Sequence, residues 1–215
     1  MKNREKVITL IVAGVILAAV VVVIVLARGG GGEDSGELTA PITKEGNLDK
    51  PGTVVEKGEP ATVTMETSEG TFKIALDTER APITANNFAY LTEEGFYDGL
   101  GFHRIVPDFV IQGGDPLGDG TGGPGYKVVE APPRDLKYDV GVVAMAKSGT
   151  EASGTSGSQF YVVTGEQGQT LTPDYALVGK VSEGMDVVQK IGALGGPDEQ
   201  PTEDVVIQKA TLEKG

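Results

Sequence analysis

The chain has 215 residues, a formal net charge of −13, 32 glycines, 12 prolines, one histidine, and neither cysteine nor tryptophan. That length suits one sizeable domain with appendages, and the acidity opposes binding to phosphate backbones, so no nucleic-acid partner is expected. Without cysteine there are no disulfides, thiol nucleophiles or thiolate metal sites, and a lone histidine excludes multi-histidine metal centres.

Residues 1–6 carry Lys2, Arg4 and Lys6, and residues 7–27 are apolar apart from Thr9 and Gly14. A helix of about 20 apolar residues crosses a hydrocarbon core of about 30 Å. This predicts a transmembrane helix over 7–27, with a cytoplasmic N-terminus and the rest of the chain extracytoplasmic at the cell membrane. The alternative is a secretory signal peptide cleaved after Val25-Leu26-Ala27, which would release the same domain. Residues 28–59 open with Arg28 and four glycines, continue through Glu33, Asp34 and Glu37, and show no apolar period. They read as a flexible acidic, Gly-rich linker.

The pattern changes over 60–213. Alternating β-rich runs at 61–66 and 71–76 flank Ser68-Glu69-Gly70, a hairpin signal. Pro82 opens a helix that Gly95 ends, and a second helix is expected over 185–191. Short strands are expected at 110–112, 126–130, 140–146, 159–164, 175–181 and 205–212. Many short strands, Gly/Pro turns and two helices predict a mainly β domain, a closed antiparallel barrel capped by helices.

The run FHRIVPDFVIQGGD at 102–115 is similar to the cyclophilin signature. Further pieces follow in that family's order: GTGGPGY at 120–126, GVVAMA at 141–146 leading to GSQFY at 157–161, and YALVGKV at 175–181. The resemblance covers about 60–212. It implies an eight-stranded barrel with two capping α-helices, peptidyl-prolyl cis/trans isomerase activity on proline-containing polypeptides, and no cofactor or metal. It is also read as a monomer that assists the folding of exported proteins.

Rotation about an X-Pro bond is opposed by amide resonance worth about 18–20 kcal/mol, and it needs neither proton transfer nor a covalent intermediate. An enzyme must grip the prolyl ring and stabilise the twisted amide more than either planar form. A fixed cation near the prolyl nitrogen does this, and arginine is always charged and rich in donors. The resemblance assigns that catalytic role to Arg104. It places Phe109, Val110, Tyr161 and Leu171 around the ring and Gln112 beside the arginine. It sets Ala146 and Lys147 on the edge that pairs with substrate backbone, with Gln159 and Gly120 along the groove. Tyr175 stands where a histidine is frequent, and His103 is expected to have a structural or groove-lining role, since rotation needs no general base. Strand alternation turns Phe160 away from Tyr161, toward the core.

Three departures stand out. The groove tryptophan is missing, with Thr170 the nearest equivalent; Lys147 replaces a common asparagine; and the loop 148–156 is longer than the short family form. The G-x-G-x-x-G spelling at 118–123 precedes Pro124-Gly125 rather than a helix, so it reads as a turn. An EF-hand hint at 115–126 ends in Tyr126 instead of glutamate. Against the enzyme stand a non-catalytic proline-peptide binding module or holdase and an anchored scaffold.

Overall fold

The computed structural model describes residues 48–215. Its strands are β1 (Ala61–Thr67), β2 (Gly70–Leu76), β3 (Arg104–Val106), β4 (Val110–Gly113), β5 (Val128–Val129), β6 (Val142–Met145), β7 (Thr155–Ser156), β8 (Phe160–Val163), β9 (Leu177–Glu183) and β10 (Ile207–Lys214). The helices are α1 (Pro82–Glu93) and α2 (Met185–Gly192), with a short 3-10 turn at Glu166–Thr170.

Alternation builds the first hairpin. Val63 and Met65 on β1 and Phe72 and Ile74 on β2 are fully buried on one face. Thr67 closes the turn: its hydroxyl donates to the Gly70 carbonyl at 2.7 Å and accepts from the Glu69 amide at 3.1 Å. From this hairpin the sheet grows at both edges in the order β10-β1-β2-β9-β6-β8-β4-β3, every pair antiparallel. β5 and β7 form a separate two-stranded ladder.

Proline at the first turn of α1 sacrifices no helical hydrogen bond. Ala81 offers no side-chain cap, so Glu130 supplies one from a distance, accepting from the amides of Ile83 (3.2 Å) and Thr84 (2.7 Å). The helix ends as Gly95 adopts φ +60°. Both helices lie within a residue or two of their expected positions. Three elements were not expected: β3, β7 and the 3-10 turn.

The expected closed barrel is corrected to a curled eight-stranded sheet, because its edge strands β3 and β10 share no ladder. A single bridge, Gly101 with Val206, joins the segments that lead into them. The amide of Phe102 donates to the Val205 carbonyl (2.9 Å) and that of Ile207 to the Leu100 carbonyl (2.8 Å). Beyond this seam the Ile105 amide donates at 2.7 Å to the carbonyl of Glu199, which belongs to the loop before β10. That loop takes the place on the β3 edge that a closing strand would fill.

A core of Phe88, Tyr97, Phe102 and Phe160 fills the inside of the sheet. Phe160 meets Phe88 and Tyr97 edge to face, with centroids 5.4 and 5.5 Å apart. The Tyr97 hydroxyl, buried with them, donates to the Ser158 carbonyl at 3.2 Å, and burial raises its pKa well above the ordinary phenol value.

Residues 48–59, counted with the linker in the sequence reading, belong to the domain. Asn86 on α1 accepts from the amides of Val54 (2.7 Å) and Val55 (3.0 Å) and donates to the Gly52 carbonyl (2.8 Å). Val55 is 3% exposed, the Leu48 amide donates to the Pro124 carbonyl at 3.1 Å, and the Thr78 hydroxyl donates to the Glu59 carbonyl at 2.8 Å. One side chain thus supplies the pairing that a strand partner would give. The expected cytoplasmic segment 1–6, transmembrane helix 7–27 and linker portion 28–47 lie outside the described residues. Among the described residues no helix is long and apolar enough to cross a membrane.

Candidate active site

Register across four neighbouring strands assembles the site. Arg104 on β3 stands opposite Gln112 on β4, Gln112 opposite Tyr161 on β8, and Tyr161 opposite Ala144 on β6. Cross-strand partners share a face. Ile105, Ile111, Val162 and Val143 form the adjacent row, which points the other way into the core. Phe160 joins that core and Tyr161 the outer cluster, as alternation requires. The site therefore lies on the face of the sheet opposite the main core.

Loops wall this row. The β3–β4 turn runs through Pro107 and Asp108, with Asp108 at φ +62° and the Phe109 amide donating to the Val106 carbonyl at 3.1 Å. Proline followed by a residue at positive φ is the type II turn pattern, and it delivers Phe109 to the cleft rim. Leu171 follows the 3-10 turn, and Tyr175 precedes β9. Tyr138 fixes Tyr175: its hydroxyl donates to the Tyr175 carbonyl at 2.7 Å and accepts from the Tyr175 amide at 3.0 Å. The Tyr161 and Tyr175 rings meet at 87°, with centroids 5.6 Å apart.

The result is a cleft of about 220 Å³ lined by Arg104, Phe109, Val110, Gln112, Ala146, Lys147, Tyr161, Leu171 and Tyr175. Six of these nine residues are apolar or aromatic and the other three are Arg104, Gln112 and Lys147, a mixture that suits a small ring attached to a polar backbone. A neighbouring cleft of about 340 Å³ contains Gly120 and Gln159 and shares Gln112, Ala146 and Lys147. His103 lies in a third depression with Arg104, Gln112, Gly120 and Glu199. Nine of the twelve predicted residues thus surround one cleft; Gln159, Gly120 and His103 flank it. Thr170 does not line it, and its hydroxyl donates to the Gln167 carbonyl at 2.7 Å.

A polar chain crosses the site. Glu199 Oε2 accepts from Arg104 Nε at 2.6 Å, and Arg104 Nη1 donates to Gln112 Oε1 at 3.4 Å. Gln112 Nε2 donates to Gln159 Oε1 at 3.1 Å, and Gln159 Nε2 donates to the carbonyls of Gly120 (2.9 Å) and Gly122 (3.0 Å). Buried Asp115 organises that glycine loop by accepting from the amides of Leu117 and Gly120. A β-carbon on Gly122 would fall 2.1 Å from Asp115 Oδ1, which leaves room only for glycine.

Lys147 also makes contacts away from the groove edge. Its side chain is only 5% exposed, and Nζ lies 2.7 Å from Asp174 Oδ2. Nζ also donates to the Glu151 carbonyl at 3.2 Å and sits 5.5 Å from the Tyr175 ring centroid. The lysine therefore joins the 148–156 loop to the Tyr175 wall in addition to lying on the groove edge. Asp174, Tyr138 and Glu199 are site residues that sequence reasoning missed. All three sit in aperiodic loops.

Burial lowers the His103 pKa below the ordinary imidazole value, so the ring is neutral at pH 7. Both its ring nitrogens are buried without a hydrogen-bond partner among the described residues, so no direct protein hydrogen bond links His103 to the cleft. Burial also raises the Tyr161 phenol, so its hydroxyl stays protonated. A larger depression of about 780 Å³ beside β2 and β9 contains none of the predicted residues. Its Arg80 is already engaged by Asp135 at 3.0 Å and Asp77 at 3.9 Å.

Residues 62–212 match the family model described as cyclophilin type peptidyl-prolyl cis-trans isomerase/CLD. The peptidyl-prolyl cis-trans isomerase cypE of Dictyostelium discoideum is 38% identical over 154 residues, covering 70% of this chain and 96% of that protein. The peptidyl-prolyl cis-trans isomerase-like 1 of Mus musculus is 39% identical over 157 residues, covering 71% and 92%. A crystal structure of a cyclophilin type peptidyl-prolyl cis-trans isomerase from Cryptosporidium parvum superposes with a TM-score of 0.67 at 28% identity, covering 73% of this chain and 99% of that one. The same parasite enzyme solved in the presence of the dipeptide Ala-Pro gives a TM-score of 0.66 at 28% identity, covering 72% and 99%. With its curled sheet, its outer-face cleft and these relatives together, the chain belongs to the cyclophilin-type peptidyl-prolyl cis-trans isomerases.

Proposed function

We propose that the outer-face cleft is where this isomerase turns X-Pro bonds, with Arg104 as the catalytic cation. The observation that carries this reading is the aligned row Arg104–Gln112–Tyr161 across β3, β4 and β8. It sets a permanent charge beside an aromatic-walled cleft of prolyl size.

The prolyl ring sits among Phe109, Val110, Tyr161 and Leu171, and burial of its methylenes holds the residue after the bond. The edge at Ala146 and Lys147 pairs with substrate backbone and holds the residue before it. Rotation then proceeds between two fixed ends. As the amide twists, its nitrogen lone pair leaves conjugation and becomes an acceptor, and the Arg104 guanidinium donates to it. Planar cis and trans forms offer no such lone pair, so the interaction is strongest at the barrier, which is where binding accelerates a reaction. Gln112 steadies the arginine and can donate to the substrate carbonyl or to a water. No residue changes protonation state.

The domain acts as a monomer on proline-containing exported proteins, held at the outer side of the cell membrane by a helix over 7–27. Support for that topology is the apolar run itself, preceded by Lys2, Arg4 and Lys6.

Exchange NMR on an X-Pro tetrapeptide tests the site: the unmutated protein accelerates cis/trans exchange and Arg104→Ala does not. Binding without acceleration by the unmutated protein would instead favour a proline-peptide binding module. Protease added to intact cells tests the topology, removing the domain while sparing cytosolic markers; protection of the domain would reverse the orientation.

A further inference from the structure

We infer that Glu199 is a positioning residue that fixes the Arg104 guanidinium at the cleft, an inference that rests on Arg104 being the catalytic cation. Nothing in the signature run points to Glu199. It lies 95 residues from Arg104, in the loop between α2 and β10.

Distances decide which partner holds the arginine. Glu199 Oε2 is 2.6 Å from Nε, whereas Gln112 Oε1 is 3.4 Å from Nη1. The first is a short charge-assisted bond and the second is near the limit of hydrogen bonding. An arginine with only the second contact would sample many rotamers, because its side chain is long and 33% exposed. Engaging Nε orients the planar fork and leaves the Nη groups as donors for the cleft.

Backbone geometry ties the carboxylate to the same strand. The Glu199 carbonyl accepts from Ile105, the residue after Arg104, so side chain and main chain of Glu199 grip adjacent positions of β3. The loop itself is braced: the Gly196 amide donates to the Gln200 carbonyl (2.8 Å), the Thr202 amide to the Leu194 carbonyl (2.7 Å), and Gly195 bridges Pro201. A β-carbon on Gly195 would fall 2.5 Å from Pro107 Cδ, so the loop is seated against the turn that presents Phe109. Glu199 has φ +62°, and only Asp108 shares that feature among the described non-glycine residues. Glycine would adopt this conformation freely, and glycines precede it at 195 and 196. A glutamate there bears backbone strain that a side-chain role explains.

A surface ion pair with a half-exposed carboxylate adds little to folding. Positioning and stability can therefore be separated. Glu199→Gly keeps the left-handed backbone and removes the carboxylate; Glu199→Gln keeps an acceptor for Nε without the charge. The full-length protein in detergent is assayed on an X-Pro tetrapeptide by exchange NMR, alongside Arg104→Ala and with the Arg104 Nε–Hε resonance recorded. Glu199→Gly is expected to lower kcat roughly tenfold, with KM and melting temperature little changed, since small misplacements of a catalytic group cost rate. Its Nε–Hε signal shifts and broadens, while Glu199→Gln restores most of the turnover. Native or raised kcat in Glu199→Gly, with Arg104→Ala inactive, would overturn the inference and leave the role of Arg104 standing. Full turnover by Arg104→Ala would overturn both.

Discussion

Lys147 on the groove edge pairs with Asp174, the residue before Tyr175, with Nζ 2.7 Å from Oδ2 and the lysine side chain almost wholly buried. Losing the carboxylate leaves a buried ammonium with two backbone carbonyls and the Tyr175 ring face but no counter-charge. Asp174→Asn should therefore destabilise the fold by about 1–2 kcal/mol, less than for a fully buried pair because the aspartate is partly in water. Lys147→Met, which removes the charge and fills the space, should cost less. The hydrogen bond from Lys147 holds the Asp174 carboxyl below its usual pKa. A depressed carboxyl stabilises the fold above the unfolded value, near pH 4. That contribution is lost as pH falls through the lower folded value, because the unfolded chain takes up the proton first. Urea denaturation at pH 7 and pH 2.5 should show the gap between native and Asp174→Asn closing on acidification.

His103 titrates low because burial disfavours its charged form. Stability should fall as pH drops below the unfolded imidazole value near 6.5, where the unfolded state binds the proton more readily. Turnover should not follow ionisation between pH 6.5 and 8.5, since an imidazole whose pKa burial has lowered is already neutral there. His103→Gln should keep kcat/KM within about threefold, far short of the 10²–10⁴-fold expected for loss of a general base. A bell-shaped profile in the native protein, abolished by His103→Gln, would contradict this.

Asn86 anchors the segment that enters the domain. Asn86→Ala removes the partner of two amides and one carbonyl and should cost about 2–3 kcal/mol. Amide hydrogen exchange should show Val54 and Val55 losing protection while Val63 on β1 retains it.

Alternation and punctuation made much of this molecule legible beforehand. The hairpin around Gly70, the proline-led start of α1, and the opposite facing of Phe160 and Tyr161 follow from local chemistry that tertiary packing reinforces. β3 escaped notice because it has three residues and stops before Pro107, too short for a period to register. The docked segment 48–59 escaped because a side chain, Asn86, supplies its pairing. Glu199, Asp174 and Tyr138 reach the site from loops whose placement depends on the return path of the chain, and no spacing in the sequence encodes that. The same limit explains His103 and Gly120, which come from two separate sequence pieces and share a depression beside the main cleft once β3 and the Asp115 loop are formed.

The central claim is that Arg104 stabilises the twisted amide and does not merely bind peptide. The direct measurement is exchange NMR of an X-Pro peptide with native protein, Arg104→Lys and Arg104→Ala, with peptide affinity taken from the same titrations. Arg104→Ala should lower kcat/KM by about 10²–10³-fold, the usual scale for a preorganised donor. Affinity should change only a few-fold, and Arg104→Lys should be intermediate, because an ammonium keeps the charge and loses the planar fork. Native turnover in Arg104→Ala would contradict the account, as would a loss of affinity that matched the loss of rate.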